Sequence, residues 1–240
     1  MPSTTQSRFA NVKLRGFWRS SCTWRTRIAL LAKEIPFEYE SINILDGEAA
    51  SADFEKDNPM RQVPILECID NDTGEKIRIF QSVAIIEFIH EAFPVSGSSL
   101  YPSDIVAKAR VREIAEVVNA GIQPLQNLSA MALIDELSAG MVEIQLGNGQ
   151  KFAKRNSESG IEALEKIVVE IRQKVVDRGP FAIGSHNPTL ADAFIIPQMY
   201  NARRFCVELE EYPMLISVEK ACLDHPWFKS SHPDIIKKLE

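Results

Sequence analysis

The regular pattern of the chain begins at Val12–Arg15, where two apolar residues alternate with two basic ones. This period of two predicts a strand. A helix is predicted over 22–34, because apolar residues recur there at helical spacing, and Pro36 ends it. Alternation returns over 37–44. The chain therefore starts as a strand, a helix and a second strand.

A β-hairpin and another helix follow. The short apolar run Val63–Leu66 contains Pro64, which suits the edge or the entry of a strand. Turn residues then lead into the alternating segment Lys76–Phe80, which predicts the second strand of a hairpin. Ser82 is predicted to cap a helix with an apolar face that ends at Phe93. The predicted order up to that point is β-α-β-(α)-β-β-α.

Strand patterns disappear in the rest of the chain. We predict an α/β domain over 11–95, a linker containing Pro, Gly and Ser over 96–103, and an all-helical domain over 104–240. The helical part opens with a long helix over 104–128 that a glycine and a proline interrupt near its end. The fold class is thus α/β followed by all-α.

Three further signals support helices in the second domain. An apolar stripe from Ile161 to Val175 predicts a core-facing helix that Gly179-Pro180 ends. Thr189–Asp192 has the pattern of a capping box ahead of an apolar run. A last helix is predicted over 214–223.

Composition and charge exclude several classes of function. The 240 residues include 27 Lys and Arg against 33 Asp and Glu, a net charge of −6 that repels a phosphate backbone, so no nucleic-acid partner is expected. The four cysteines and four histidines lack zinc-ligand spacing, and no metal is expected. Short apolar runs and a polar start predict no membrane span and no secretory signal, hence a reduced, cytoplasmic protein.

The segment Arg19–Arg25 is the strongest candidate for chemistry, because it lies where the first strand gives way to the first helix. A helix N-terminus stabilises an anion such as a thiolate, and a hydroxyl placed there can donate to it. Ser20 and Ser21 are the candidate donors, with a simple N-cap as the alternative. Cys22 is a candidate reactive thiol, with an inert half-buried cysteine as the alternative.

Other candidate positions lie further along the chain. Gln81 and Ser82 repeat the arrangement at a second helix start, which suits a carboxylate. A cis bond between Val63 and Pro64 would turn backbone groups toward the crevice where β-α units converge. Arg203 and Arg204 are candidates for carboxylate recognition, with a solvated helix end as the alternative, and Gln123 lies at the interruption of the long helix.

Several segments of the chain resemble the zeta class of the cytosolic glutathione transferases, a class that includes maleylacetoacetate isomerases. The resemblance extends from about Lys13 to about Pro233. It is carried by residues 20–30 (SSCTWRTRIAL), 58–60 (NPM), 62–64 (QVP), 81–87 (QSVAIIE), 121–128 (GIQPLQNL) and 197–205 (PQMYNARRF).

The resemblance implies a thioredoxin-like domain that binds glutathione as a cofactor, a helical domain that completes the site for a small acidic substrate, and a homodimer. It implies that Ser20 donates to the glutathione thiolate, with Ser21 and Cys22 also in the catalytic segment. The other implied contacts are Val63, cis Pro64, Gln81, Ser82 and Gln123 to glutathione, and Arg25, Gln123 and Arg204 to the substrate.

The implied reaction is the cis–trans isomerisation of maleylacetoacetate to fumarylacetoacetate, in phenylalanine and tyrosine breakdown. The alternatives are a broader glutathione transferase acting by conjugation or haloacid dehalogenation, a maleylpyruvate isomerase, a disulfide-exchange enzyme using Cys22, and a non-catalytic assembly module of the same fold. The chain departs from the family pattern at Arg15-Gly16-Phe17, at 185–188, and in its short basic tail, Lys237-Lys238. The last two departures are expected to affect only the periphery.

Overall fold

The computed structural model describes residues 7–139 and 147–238. They form two compact units. One contains the described residues up to Leu100 together with those from Pro226 onward, and the other spans Tyr101–His225. This grouping differs from the division made on the sequence, which assigned everything after residue 103 to the helical domain. The difference arises because the last segment packs on the first helix of the chain.

A four-stranded sheet with flanking helices makes up the first unit, in the order predicted from the sequence. Its elements are β1 (Phe9–Gly16), α1 (Ser21–Ala32), β2 (Glu38–Ser41), α2 (Ala52–Asp57), β3 (Ile65–Asp70), β4 (Lys76–Phe80) and α3 (Ser82–Ala92). The strand order is β2-β1-β3-β4; β1 is parallel to β2, while β3 is antiparallel to both β1 and β4. This mixed topology requires a crossover helix between β1 and β2, which α1 provides.

The core of the first unit lies between the sheet and the helices α1 and α3. Leu14 on β1, Ile28 on α1 and Ile85 on α3 are fully buried. Burial of each such side chain contributes about 1.5–3 kcal/mol. The alternation of buried and accessible residues along β1 and the helical spacing of the apolar residues on α3 are those that the sequence pattern predicts.

Helices make up the regular structure of the described part of the second unit. They are α4 (Ile105–Glu116), α5 (Leu128–Ser138), α6 (Asn148–Gln173), α7 (Leu190–Arg204) and α8 (Pro213–Asp224). A π-helical turn, Val117–Ile122, and a 3₁₀ turn, Gln123–Gln126, join α4 to α5, which confirms the predicted interruption. No helix in the described residues is long and apolar enough to cross a membrane.

In this unit the sequence prediction missed α5 and placed the end of α6 too late. The helix stops at Gln173, so Val175 lies beyond it and Gly179-Pro180 is not its terminator. The loop that follows is held by the side chain of Arg172, which donates to the carbonyl oxygens of Phe181 and Gly179. These contacts fold the chain back beside the last turn of the helix.

The capping box at the start of α7 is confirmed. Asp192, which is fully buried, accepts hydrogen bonds from the backbone N–H of Ala182 at 2.8 Å and of Thr189 at 2.7 Å, and from the Thr189 hydroxyl at 2.9 Å. Burial raises the pKa of Asp192, and these three donors oppose that rise. The box therefore fixes the start of the helix that carries Arg204.

Two short helices that the sequence analysis did not predict end the described chain. They are α9 (Pro226–Ser231) and α10 (Pro233–Ile236), and α9 packs on α1. The indole N–H of Trp24 donates to the Ser231 hydroxyl at 2.8 Å, so this contact joins residues far apart in sequence.

A continuous row of ion pairs crosses the sheet, and we call it the sheet ion-pair row. Its members, in spatial order, are Glu38, Lys13, Glu40, Arg15, Asp57, Arg78, Glu67 and Lys76, with each pair joined at 2.5–3.0 Å. Arg15 occupies the middle, where it binds both Glu40 and Asp57. The row therefore ties the end of α2 to the strands.

The sheet ion-pair row should make unfolding sensitive to acid. Arg15 lowers the pKa of Asp57, and although burial acts to raise the pKa of Glu40, hydrogen bonds from Lys13 and Arg15 hold it below its ordinary value. Carboxylates with a depressed folded pKa stabilise the native state above their unfolded pKa values and lose that contribution as the pH falls. We expect the melting temperature to fall steeply from about pH 5 downward.

Replacing Arg15 by methionine should flatten this acid dependence, because the pKa values of both carboxyl groups would return toward those of the unfolded chain. The matched control is Arg61→Met, since Arg61 pairs with Glu55 where both side chains are nearly half exposed. Thermal unfolding of the native protein, Arg15→Met and Arg61→Met between pH 7 and pH 3 measures how the melting temperature of each depends on acid. Equal acid dependence in the native protein and Arg15→Met would contradict the role of the row.

Candidate active site

The strand register brings three of the predicted segments to one edge of the sheet. Arg15, near the end of β1, pairs with Ile65 at the start of β3, and Ile65 pairs with Phe80 at the end of β4. The start of α1 follows β1, Val63-Pro64 precedes β3, and Gln81-Ser82 follows β4. All three segments therefore lie at the same end of three neighbouring strands.

The span of this edge fits a tripeptide. Neighbouring strands lie about 4.8 Å apart, so the outer two of three strands are about 10 Å apart. An extended chain covers about 3.3 Å per residue, which makes about 10 Å for three residues. An extended tripeptide can thus lie across the edge, with one end at α1, its middle at Val63-Pro64 and the other end at α3.

Ser20 is the N-cap of α1, and its hydroxyl remains able to donate. Its Oγ accepts a hydrogen bond from the backbone N–H of Thr23 at 3.2 Å. A hydroxyl that accepts in this way still has its own hydrogen to give to an anion. The cap role and the proposed catalytic role of Ser20 are therefore compatible.

Gly16 allows β1 to approach the first turn of α1 closely. A Cβ added at Gly16 would lie 2.3 Å from Thr23 Cγ2. The family departure at Arg15-Gly16-Phe17 thus has a structural reason at two of its positions. Gly16 makes room for Thr23, and Arg15 joins the sheet ion-pair row.

The start of α3 differs from the prediction. Ser82 is not the N-cap: it is the first residue of the helix and is buried, while Gln81 occupies the cap position without a side-chain cap bond. Gln81 has φ +74°, a left-handed conformation that is strained for a residue other than glycine. Ser82 therefore does not repeat the cap role of Ser20, and the strained cap at Gln81 has no local sequence signal.

The peptide bond between Val63 and Pro64 is cis. Val63 is half-buried and packs against a cluster of Ile42, Ala49, Phe54 and Ile65. The loop before it is shaped by Asn58, whose side chain donates to the carbonyl oxygen of Gln62 at 2.6 Å and accepts from the backbone N–H of Met60 at 3.0 Å. The sequence analysis assigns Asn58 no structural role beyond its place in the family resemblance; the local signal for one is its Asn-Pro pair.

The electrostatics of both helix starts favour anions. Neither α1 nor α3 carries an acidic side chain in its first turn, so nothing within the helix competes for its positive end. Cys22 is a partly exposed free thiol in the first turn of α1. No cluster of three or more potential metal ligands occurs among the described residues.

Arg25 differs from the other candidates in its environment. Its side chain, on α1, is fully buried in the described chain. It therefore offers no exposed surface to a substrate in this conformation, and its predicted role stays a prediction.

In the second unit the two candidate arginines are both exposed but have different partners. Arg203 forms a two-pronged ion pair with the buried carboxylate of Glu219. Arg204 donates to Asn201 Oδ1, a neutral acceptor, at 3.3 Å. Arg203 is thus committed to a carboxylate of the protein itself.

A buried amide network fixes the turn that carries Gln123. Gln126 Nε2 donates to Gln198 Oε1 at 2.8 Å, and Gln126 Oε1 accepts from Ser157 Oγ at 2.9 Å. The network joins the 3₁₀ turn to α6 and to α7, the helix that ends at Arg204. Gln123, half-buried at the start of that turn, is thereby fixed within the same unit as Arg204.

Comparisons with known proteins place the chain in a family. Residues 19–92 match the family model of the glutathione S-transferase N-terminal domain. The maleylacetoacetate isomerase of Rattus norvegicus is 37% identical over 92% of this chain and 91% of that protein. Such similarity over nearly the whole length extends well beyond the matched N-terminal domain.

Similarity to solved structures supports the same family. A maleylacetoacetate isomerase from Anaeromyxobacter dehalogenans, crystallised with glutathione (GSH) in its active site, is 36% identical with a TM-score of 0.79, over 96% of this chain and 98% of that one. A maleylpyruvate isomerase described as a bacterial zeta-class glutathione S-transferase is 30% identical with a TM-score of 0.77, over 93% of this chain and 97% of that one.

The fold defined by these matches is that of the glutathione transferases, with a thioredoxin-like first unit and a helical second unit, which confirms the predicted fold class. The chain belongs to the zeta-class glutathione transferase family, the family of the maleylacetoacetate isomerases, and it is an enzyme.

Proposed function

We propose that this enzyme is a glutathione-dependent cis–trans isomerase that converts maleylacetoacetate to fumarylacetoacetate. The observation that carries the proposal is the alignment of Ser20, Val63-Pro64 and Gln81-Ser82 at one sheet edge that matches a tripeptide in length. The full-length similarity to maleylacetoacetate isomerases supports the choice of reaction.

The residues present fit glutathione. The start of α1 offers Ser20, Ser21 and a positive helix end for a thiolate, and the start of α3 offers the same kind of helix end for a carboxylate. In this proposal the backbone at Val63, next to cis Pro64, binds the middle residue, and Gln81 and Ser82 bind the γ-glutamyl end. When bound, glutathione supplies a thiolate that adds reversibly to the conjugated double bond, which permits rotation before elimination.

Ser20 has the task of keeping a thiol ionised near neutral pH. A free thiol has a pKa of about 8.5, and lowering it by about 1.5 units requires about 2 kcal/mol. The end of a helix contributes about 0.3–1 kcal/mol, and a hydrogen bond to a charged group about 1.5–3 kcal/mol. The helix start and the Ser20 hydroxyl together supply enough, so no histidine base is required.

Arg204 and Gln123 bind the acidic substrate in this proposal. A guanidinium binds a carboxylate through two parallel hydrogen bonds, and a side-chain amide adds a neutral donor. Arg204 is the candidate because it occupies the position that the family resemblance associates with the acidic substrate, whereas Arg203 is held by Glu219.

The experiment that tests the proposed function is an ultraviolet assay of cis-to-trans conversion of maleylacetoacetate, with and without catalytic glutathione. We expect conversion only when glutathione is present, with no net consumption of it. Consumption of glutathione in proportion to product would indicate a conjugating transferase instead. Failure to bind glutathione at millimolar concentration would favour a non-catalytic module.

The same assay also tests two alternative functions. Similarity to a maleylpyruvate isomerase makes maleylpyruvate a second candidate substrate, and the ratio of kcat/KM for the two substrates decides between them. If Cys22 were the nucleophile of a disulfide-exchange enzyme, Cys22→Ala would remove activity; under our proposal most isomerisation survives that change.

A homodimer is part of the proposal, and the surface of α5 supports it. This helix has no buried residue and exposes Leu128, Leu133 and Leu137 by 47–63%. We expect Leu133→Glu/Leu137→Glu to shift the mass measured by light scattering from a dimer toward a monomer, since two buried carboxylates would oppose association.

The matched control for the dimer experiment is Val95→Glu/Val176→Glu. It adds the same two charges at side chains that are 96% and 100% exposed and lie outside α5, so the mass should stay that of the native protein. A native protein that is already monomeric, or a Leu133→Glu/Leu137→Glu variant that remains dimeric, would contradict this interface.

The proposal also places the enzyme in the cytoplasm and in phenylalanine and tyrosine breakdown. The free state of all four cysteines is consistent with a reducing compartment. The assignment to this breakdown route follows from the proposed substrate.

A further inference from the structure

The C-terminal segment, defined as residues 226–237, is hydrogen-bonded to the helix that begins at the candidate active site. Ser231 is 1% exposed, and its hydroxyl accepts from Trp24 Nε1 at 2.8 Å while donating to the carbonyl oxygen of Trp227 at 2.6 Å. The backbone N–H of Trp24 donates in turn to the carbonyl oxygen of Ser20 at 2.8 Å. Two hydrogen bonds, both made by Trp24, thus connect Ser231 to Ser20.

A second connection runs through Arg27, which is 1% exposed. Its Nε donates to the carbonyl oxygen of Ser231 at 3.3 Å, and its Nη2 donates to the carbonyl oxygen of Trp18 at 2.9 Å. A single planar guanidinium therefore joins the C-terminal segment to the residue two positions before Ser20.

A third connection is made by Lys237, whose Nζ lies 5.0 Å from the centre of the Trp18 ring. The guanidinium carbon of Arg19 lies 5.3 Å from the same ring. Both distances fall within the range of cation–π attraction. The ring of His232 also packs edge to face against the ring of Trp24 on α1, with the ring centres 5.2 Å apart.

We propose that the C-terminal segment is a positioning element for the start of α1, with Ser231 and Lys237 as positioning residues for the Ser20 hydroxyl. The inference rests on the proposed function, because it assigns the segment to the hydroxyl that ionises the thiol. The helices α9 and α10 have six and four residues, too short to be stable alone. The segment is ordered by these contacts, which in turn restrict residues 18–24.

The test compares Ser231→Ala with Ser230→Ala. Ser230 is a close control, since its hydroxyl also donates to the carbonyl oxygen four residues earlier, that of Pro226 at 2.6 Å, but its side chain is exposed, whereas that of Ser231 is buried against Trp24. The primary measurement is the pKa of the glutathione thiol in the binary complex, which is determined from the ultraviolet absorbance of the thiolate as the pH is varied.

We expect Ser231→Ala to raise that thiol pKa by about half a unit to one unit and to lower kcat at neutral pH by about fivefold, equivalent to about 1 kcal/mol. The KM for the acidic substrate should not change, and kcat should recover above the raised pKa. A loss of folded protein alone would lower kcat equally at every pH. Ser230→Ala should match the native enzyme.

A ligand-free measurement gives an independent readout. Amide hydrogen exchange over residues 18–27 should quicken in Ser231→Ala and in Lys237→Met, and should not change in Ser230→Ala or Lys238→Met. If Ser231→Ala does not fold, Trp24→Phe replaces it, because that change keeps an aromatic ring and removes the indole donor.

The outcomes separate this inference from the proposed function. If the native enzyme shows no ionised glutathione thiol, the proposed function fails. If the native enzyme shows one, and Ser231→Ala and Trp24→Phe have the native thiol pKa and native exchange rates, the proposed function stands and the positioning role is overturned.

Discussion

Ser20→Ala should lower turnover at pH 6.5 about 10- to 100-fold, a large effect for the removal of one oxygen atom. The variant loses a hydrogen bond to a charged group, about 1.5–3 kcal/mol, which corresponds to this range of rates. The thiol pKa in the binary complex should rise together with the loss of turnover. Glutathione should still bind, since Val63, Gln81 and Ser82 are unchanged.

Ser51→Ala is the matched control for this prediction. Ser51 caps α2 with the same geometry, accepting from the backbone N–H of Phe54 at 3.1 Å, but it lies in none of the three candidate segments. Loss of an N-cap costs about 1 kcal/mol of stability in either variant. Only Ser20→Ala should change the thiol pKa; unchanged turnover at pH 6.5 would rule out the assignment of Ser20.

Arg204→Glu should raise the KM for the acidic substrate by about 100-fold while retention on a glutathione column survives. The change removes a charge-assisted pair of hydrogen bonds and places a carboxylate where a substrate carboxylate must bind, a loss of about 3 kcal/mol or more. Steady-state kinetics with varied substrate at saturating glutathione measures the effect.

Arg203, the residue next to Arg204, provides the control for this prediction. Arg203→Gln leaves the buried carboxylate of Glu219 without its guanidinium partner, so we expect a lower melting temperature and an unchanged KM. If Arg204→Glu weakened glutathione binding and substrate binding equally, Arg204 would be a structural residue. If Arg203→Gln raised KM as much as Arg204→Glu, the assignment to Arg204 alone would be wrong.

Local sequence signals were sufficient for the order of the elements in the first unit and for several features of the second. Alternation in Val12–Arg15, the capping box at Thr189–Asp192 and the interruption before Leu128 each depend on residues within a few positions of one another. Such patterns report the local backbone directly. They also predicted that Ser20 caps α1, because it lies at the start of that helix.

Features that depend on distant residues could not be predicted in this way. The contact of Ser231 with Trp24 spans 207 positions, and the basic tail at Lys237, expected to be peripheral, lies against Trp18. Arg15, which the sequence presents as a departure from the family, is explained only by the fold that brings Asp57 to it. The left-handed backbone at Gln81 was not foreseen either, because glutamine has no preference for that conformation.

A crystal structure of the enzyme with glutathione tests the central claim most directly. We predict the sulfur within hydrogen-bond reach of Ser20 Oγ, the cysteinyl backbone beside Val63, and the γ-glutamyl carboxylate at Gln81-Ser82. A sulfur directed away from the start of α1, or one joined to Cys22 in a mixed disulfide, would contradict the account.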